Sequence, residues 1–455
     1  MTDFSGLAIA GRIATPSDAD WDQARMAWNL AADQHPSAVA LIESAEDAAK
    51  VVRFAAENDL QVTTQGSGHG ALSLQALENT ILVKTERMRG IEVDAEAQTA
   101  RVEAGVLSLE LAEAAGAQGL SSLPGTSPDV CVTGFTLGGG LSWLGRRYGF
   151  ACNRLRAVEL VTADGEARTV DSENEPDLFW ALRGGGGDYG VVTALHVNLV
   201  PIADVYAGAL LFPAEVGAEG VRAYREWAAG VSDDVTSVVR FLRPPDVPDV
   251  PEFLRGKALL TIDGACVGDQ AEGEAAFAPL REIGEPILDT FGQIPAPGLC
   301  KIHMDPEHPV PGFGHHRVLR ELSDEAIDAW VGAVGPGSGT PLLLSELRQL
   351  GGALGRPDPD GGALSHLDAG WVMYGVGMVM SPQMGEAVSA GLDRMHEAME
   401  PWAAEGAYFN FADRACDTDA ILPPEVCSRL AAVKRRWDPD GRLFGNHAVS
   451  LDSAA

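Results

Sequence analysis

The residues best suited to chemistry lie in a glycine-rich turn that ends in histidine, Gln65-Gly66-Ser67-Gly68-His69-Gly70. Without a Cβ, glycines let backbone N–H groups come close to a ligand, and the imidazole beside them offers a nucleophilic nitrogen that could anchor a cofactor. The competing reading is a tight connection with an incidental histidine. Two further glycine runs follow, Gly134-Phe135-Thr136-Leu137-Gly138-Gly139-Gly140 and Gly184 to Gly187. Such density has no place in a regular element unless the backbone passes close to something. Gly185-Gly186-Gly187-Asp188-Tyr189-Gly190 also fits GxGxxG. The dinucleotide fingerprint needs a strand before the glycines and a helix after, and here a helix precedes and a strand follows. His303, Asp305, His308, His315 and His316 cluster in a stretch read as a loop. They lack the i, i+4 helical placement that fixes two imidazoles on one ion, so no metal site is expected.

The elements that must position the first turn are legible around it. Ser44-Ala45-Glu46-Asp47 reads as a capping box, and Ala48, Val51, Val52 and Ala55 mark one face of a helix. Leu60, Val62 and Thr64 then carry a strand straight into the glycines, and Thr80 to Lys84 is a second strand. Ile91/Val93 and Ala100/Val102 form a hairpin, Val106 to Gly116 a helix, Ala157–Thr162 and Ala167–Val170 a strand pair around Asp164-Gly165, Pro176 to Leu182 a helix and Val191 to Leu199 a strand. From about Ala203 the glycine loops thin out and Pro244-Pro245-Asp246-Val247-Pro248 makes a stiff connector. Apolar runs at Ala258 to Ile262 and Gly370 to Val379 alternate with helical patterns at Glu321 to Val331 and Glu386 to Met399. That pattern suits an antiparallel sheet with helices on one face. Tyr408 onward reads as a return, with a helix from Pro424 to Arg436.

Length and charge narrow the class. A chain of 455 residues, 46% hydrophobic, buries a large core and favours more than one domain. Thirty-three Lys and Arg against 65 Asp and Glu give a net charge of −32, which repels nucleic-acid phosphates and anionic membranes, so neither is expected as a partner. Met1 to Ile13 holds no basic segment followed by an apolar run, and a cytoplasmic location is the expectation. Six cysteines without a CxxC pair suggest neither a disulfide framework nor a thiolate zinc site.

Taken in order, Pro36-Ser37-Ala38, Gln65 to Gly70, Gly134 to Gly140 with Arg147-Tyr148-Gly149, Leu178-Phe179-Trp180-Ala181-Leu182-Arg183-Gly184-Gly185-Gly186, Tyr189-Gly190-Val191-Val192-Thr193, and Arg429 to Lys434 before Asp438-Pro439 make a specific signal. The chain resembles the vanillyl-alcohol-oxidase-type flavoproteins, in the berberine-bridge-enzyme-like branch, over nearly its whole length. The resemblance implies an α+β fold. A two-lobed PCMH-type FAD-binding domain is expected at 1–202, a substrate domain with an antiparallel sheet and flanking helices at 203–404, and a C-terminal segment returning to the FAD domain at 405–455. It also implies FAD bonded through His69 and cradled by Gln65, Gly66, Ser67, Gly68, Gly70, Gly125, Thr126, Ser127, Val130, Gly134, Gly138, Gly139, Gly140, Val192 and Asn446.

Several positions depart from the family pattern. Many members add a cysteinyl bond to the flavin, but Gly125-Thr126-Ser127-Pro128 places serine there, so a single tether is expected and Cys131 is not assigned one. Phe135 stands where some members place a histidine near the flavin, and Phe411 where many place the second tyrosine of Tyr-x-Asn-Tyr. Tyr408, Asn410 and Tyr374 are the catalytic candidates, with Glu346 as a second possible base, each against the ordinary reading of a packed or solvated side chain. The expected activity is removal of hydride from a C–H next to an amine or alcohol of a small metabolite, with electrons passing to molecular oxygen to give H2O2. The alternatives are a dehydrogenase, a sugar or secondary-metabolite oxidase, and a silent flavin-binding protein. Phe411 tilts the expectation toward an amine, which needs a strong base less than an alcohol does.

Overall fold

The computed structural model describes residues 2–74, 77–248 and 250–451 and builds them around three β-sheets. The first sheet is ordered Arg12–Ala14, Ala38–Leu41, Thr80–Lys84, Gln61–Gln65 and Leu443–Phe444, parallel except at its outer strand Arg12–Ala14. The helix Ala45–Glu57 lies between two of these strands in sequence. Ser44 caps it by accepting the Asp47 N–H at 3.2 Å. The Asp47 carboxylate in turn accepts N–H groups from Ala10, Gly11 and Glu43 at 2.7, 3.0 and 3.1 Å. Ala48, Val51, Val52 and Ala55 are all fully buried against the sheet, and each valine contributes on the order of 1.5–3 kcal/mol by leaving water. The strand Gln61–Gln65 therefore delivers the glycine turn at its carboxyl end, where parallel sheets present ligands.

The second sheet is antiparallel, ordered Ile91–Asp94, Thr99–Glu103, Val191–Asn198, Leu155–Val161 and Ala167–Asp171. It holds the hairpin in the register Ile91 to Val102. The helix Pro176–Leu182 precedes the third glycine run and the strand Val191–Asn198 follows it, the reverse of a dinucleotide fingerprint.

The third sheet has eight antiparallel strands: Leu288–Asp289, Asp204–Pro213, Leu259–Cys266, Val235–Leu242, Leu344–Gln349, Trp371–Met378 and Gly312–Leu319 in line, with Gly292–Pro295 also on Asp204–Pro213. Helices Gly217–Gly230, Asp324–Val334 and Pro382–Met399 cover one face through Tyr224, Trp330, Leu392 and Met395. The other face looks toward the first two sheets. The architecture is thus α+β, with two lobes on the first two sheets and an antiparallel sheet flanked by helices. Six of its strands escaped the sequence reading: Asp204–Pro213, Val235–Leu242 and Leu344–Gln349 because both of their faces are covered and the clean alternation is lost, Leu288–Asp289 and Gly292–Pro295 because they are short, and Gly312–Leu319 because glycines and paired histidines replace an apolar alternation. His315 and His316 sit on a strand, not in a loop, and so point to opposite faces.

The C-terminal part returns to the first sheet, where Leu443 and Phe444 pair in parallel with Val62 and Thr63. The helix Pro424–Trp437 fastens it through Lys434, whose buried ammonium donates to Asp438 Oδ2 at 2.8 Å, to the Asp188 carbonyl at 2.5 Å and to the Leu443 carbonyl. Asp188 accepts the Gly445 and Val449 N–H groups at 2.5 and 2.9 Å.

Candidate functional site

One large cavity opens between the glycine turn and the third sheet, with about 2050 Å3 of empty space including its mouth. Gln65 through Gly70, Gly125, Thr126, Ser127, Val130, Gly134, Gly138, Tyr408, Asn410, Tyr374 and Asn446 all line it. Three expected cofactor contacts do not. Val192 packs in the core of the second lobe. Gly139 and Gly140, with φ of +122° and +82°, make room for Tyr408 and Leu364 and for Phe135 and Ala151 respectively. Their glycine is required by backbone conformation and packing, not by lining the cavity.

On the floor, the segment Trp28–Leu30 joins the two halves of the site. Trp28 and Asn29 donate backbone N–H groups to Ser67 and Gly68 carbonyls at 3.0 and 3.3 Å, and Leu30 donates to Val310 at 3.1 Å. This lays the Trp28 indole flat on His69, with ring centroids 3.8 Å apart at 19°. His69 Nε2 lies 3.2 Å from Asp129 Oδ1, in ion-pair contact though not aligned as a hydrogen bond, and the other oxygen of Asp129 accepts from Trp28 Nε1. The Gln65 amide is buried with neither its oxygen nor its nitrogen hydrogen-bonded among the described residues. A buried amide left this way costs a few kcal/mol unless something polar meets it. At Gly66 a Cβ would run into the Cys131 side chain, and at Gly138 into Asn410. An orphaned amide, an imidazole and a glycine-lined floor fit a large polar cofactor such as FAD.

Cys131 does not compete with His69. Its thiol donates to the Ala104 carbonyl at 3.0 Å behind Gly66, and burial pushes its pKa up, which keeps it protonated and a poor nucleophile.

The roof is set by register. Arg240, Glu346, Tyr374 and His316 stand directly opposite one another across four adjacent strands on the cavity side of the sheet. Their neighbours Leu347, Met373 and Trp371 face the helices. From this row a buried ionic chain extends. Arg348 Nε donates to Glu346 Oε1 at 2.6 Å, and His303 lies between Glu346 Oε2 at 3.0 Å and Asp305 Oδ1 at 2.6 Å. Ser127 Oγ donates to Asp305 Oδ2 at 2.5 Å, so the serine in the place of the family's cysteine ties the floor to the roof. Arg240 is paired with Asp263 at 2.8 Å and donates to the His303 carbonyl at 2.8 Å.

Electrostatics separates these groups by what they can do. Burial pushes Glu346 up, but Arg348 and His303 outweigh it and hold the carboxyl at about 2. Burial and Arg240 push His303 down, and the carboxylates of Asp305 and Glu346 outweigh them, leaving its pKa raised. Asp305, likewise buried, is held well below the usual carboxylate range by His303 and Ser127. These groups form a fixed ionic scaffold, and a carboxylate held that low makes a weak base.

Asp413 differs. It lines the cavity, accepts the Tyr374 hydroxyl at 3.0 Å on Oδ2, and burial raises its pKa to about 6. A base with a pKa near neutrality is the efficient kind. Burial and the Asp413 charge raise Tyr374 well above its ordinary value, so the phenol stays protonated and donating. Sequence reasoning missed Asp413, and the one available signal was its place two residues after Phe411.

Tyr408 is placed otherwise than a proton acceptor would be. Its oxygen accepts the Leu141 N–H at 2.7 Å and Asn410 Nδ2 at 3.2 Å, and burial raises its pKa. Asn410 also donates to the Phe135 carbonyl at 2.8 Å. With both lone pairs engaged, Tyr408 holds the end of the second glycine run, from Gly138 to Leu141. Phe411 fills the space between Tyr374 and Tyr408, with centroids 4.9 and 5.0 Å away, under the Arg348 guanidinium at 4.9 Å.

Residues 36–171 match the family model described as FAD binding domain. The chain is 26% identical over 477 residues to (R)-6-hydroxynicotine oxidase of Paenarthrobacter nicotinovorans, covering 98% of each. Its fold matches the solved structure of 6-hydroxy-D-nicotine oxidase from Arthrobacter nicotinovorans with a TM-score of 0.83, at 24% identity and full coverage of both chains. It also matches glucooligosaccharide oxidase from Acremonium strictum, described with 6-S-cysteinyl, 8α-N1-histidyl FAD, with a TM-score of 0.80, at 21% identity and 97% coverage of each. No helix among the described residues is long and apolar enough to cross a membrane.

Proposed function

The chain is an FAD-linked oxidoreductase built on the fold of the berberine-bridge-enzyme-like proteins, and we propose that it is an oxidase of small, largely apolar amines, with FAD tethered once, through His69. FAD supplies the hydride acceptor and passes the electron pair to molecular oxygen, giving hydrogen peroxide. The residues supply placement and proton transfer. Leu343, Leu344, Val376, Met378 and Phe411 offer the substrate an apolar wall, and the glycine turn with Gln65 and Asn446 holds the cofactor below it.

The observation that carries this reading is the Tyr374–Asp413 pair, which lines the same cavity as His69. Above pH 6 the Asp413 carboxylate takes the proton of the substrate N–H, or of an O–H, while the hydride leaves the adjacent carbon. Tyr374, hydrogen-bonded to that carboxylate, orients it. Glu346 and Asp305 are balanced by Arg348 and His303, which leaves Asp413 as the carboxylate free to meet an amine. The apolar wall and the absence of a phenol at Phe411 both favour an amine over a carbohydrate. Anaerobic mixing with panels of secondary and tertiary amines, hydroxylated aromatics and mono- and disaccharides, watching the oxidised flavin band bleach, tests the choice. Fast bleaching confined to sugars would overturn it.

A further inference from the structure

We propose that Asp129 and Trp28 form the device that couples the cofactor to His69: Asp129 takes the imidazole proton, and Trp28 holds both partners in place. The proposal deepens the reading of a His69 tether and rests on it. Three observations carry it. Trp28 stacks on the His69 ring at 3.8 Å and donates from Nε1 to Asp129. Asp129 presents its other oxygen 3.2 Å from His69 Nε2. Neither of those two facing atoms has a hydrogen-bond partner among the described residues, although both side chains are mostly buried, at 22% and 18% exposure.

A buried carboxylate oxygen with no donor is costly and rare in folded proteins, so the facing pair is expected to serve a step. With Nε2 turned to the carboxylate, Nδ1 is the nitrogen left to bond carbon. The same logic fixes which ring nitrogen of a metal-bound histidine is free, the partner of the other nitrogen deciding. Trp28 is held in turn by its backbone N–H on the Ser67 carbonyl at 3.0 Å, so the clamp is part of the glycine turn itself. Unlike the ionic chain of the roof, this group touches neither Glu346 nor Asp413.

The step balances as follows. The Nδ1–C8α bond forms, a C–H of the 8α-methyl group and the Nε2–H bond break, and Asp129 receives the Nε2 proton. The electron pair left by the methyl C–H bond reduces the ring system. Molecular oxygen, which the proposed oxidase already uses, removes that pair with two protons as one hydrogen peroxide, and Asp129 is returned to the carboxylate. The product is a neutral imidazole bonded through Nδ1.

The test uses full-length protein produced with limiting riboflavin, then incubated with FAD in air. Covalent flavin is read as fluorescence retained after acid precipitation and in denaturing gels, and total bound flavin from the visible spectrum before denaturation. Asp129→Asn keeps the shape and the acceptor for Trp28 but has lost the base. It is expected to bind FAD in the wild-type ratio and to couple it about a hundredfold more slowly, with a rate that climbs as pH rises from 6 to 9 while that of the wild type stays level. Asp129→Glu should recover part of the rate. Coupling by Asp129→Asn at the wild-type rate and pH dependence would overturn the proposal. Were Asp129→Asn unable to bind FAD, Trp28→Phe decides, since it keeps an aromatic ring to stack on His69 and removes the indole N–H that holds Asp129. Slower coupling there supports the clamp, and wild-type coupling overturns it. A wild-type protein that releases all its flavin in acid would instead refute the His69 tether, an outcome distinct from either.

Discussion

Replacing Asp413 with asparagine should make the protein less active and, at neutral pH, relieve a cost that the folded state carries. Burial raises this carboxyl from 3.8 to about 6, a shift of roughly two units or about 3 kcal/mol at about 1.36 kcal/mol per unit. The sign follows from the direction of the shift. A carboxyl with a folded pKa above its unfolded one favours folding fully below the unfolded value, and that contribution is lost as pH rises through about 6. Asparagine does not titrate. It keeps one acceptor oxygen in place of two and makes neutral hydrogen bonds to Tyr374 Oη and the Gly314 N–H where the carboxylate makes charged ones, at a pH-independent cost of about 1–2 kcal/mol. The offset cancels when the difference between wild type and Asp413→Asn is followed against pH. Urea unfolding from pH 4 to 8 should show the wild type losing about 3 kcal/mol relative to the variant across that range. Over the same range, flavin reduction by substrate should fall about tenfold per unit below pH 6 in the wild type. In the variant it should be 10²- to 10⁴-fold slower and flat. A stability swing under about 1 kcal/mol, or turnover like the wild type, would refute the reasoning.

His69→Ala should bind FAD yet release all of it in acid, whereas Cys131→Ala should keep its covalent flavin unchanged, both read by fluorescence after acid precipitation; a drop in the second would place a bond on Cys131 after all. Tyr408→Phe leaves the buried Leu141 N–H without its acceptor, which should cost about 1–3 kcal/mol in thermal unfolding while keeping the pH limb near 6; loss of that limb would make Tyr408 the base. Lys434→Met removes one partner of a buried pair and three donated hydrogen bonds, an expected loss of about 3–5 kcal/mol by denaturant titration. A change under 1 kcal/mol would mean that the C-terminal return is held by packing alone.

The first sheet was legible because its signals are local. Ser44 caps the helix, Val51 and Val52 mark its buried face, and glycines that no strand tolerates end at His69. The third sheet was half hidden, since strands such as Val235–Leu242 bury both faces, and Gly312–Leu319 carries His315 and His316 side by side where an apolar alternation would have marked it. The site divides the same way. Residues in the Gln65–Gly70 turn announce themselves by composition. The Tyr374–Asp413 pair exists only because the return segment passes under the strand Trp371–Met378, and the row from Arg240 to His316 depends on the pairing register of four strands. Nor could composition distinguish a glycine that borders a ligand from one such as Gly139, which yields to Tyr408 and Leu364.

The central claim is that one cavity oxidises a small amine and delivers its electrons to oxygen. The direct measurement is a double-mixing experiment in which the flavin is first reduced by a bleaching amine without oxygen, then mixed with air-saturated buffer while peroxide is counted. Reoxidation within about a second, with one hydrogen peroxide for each flavin reduced, is the expected result. A flavin that stays reduced in air, or reoxidises without releasing peroxide, would contradict it.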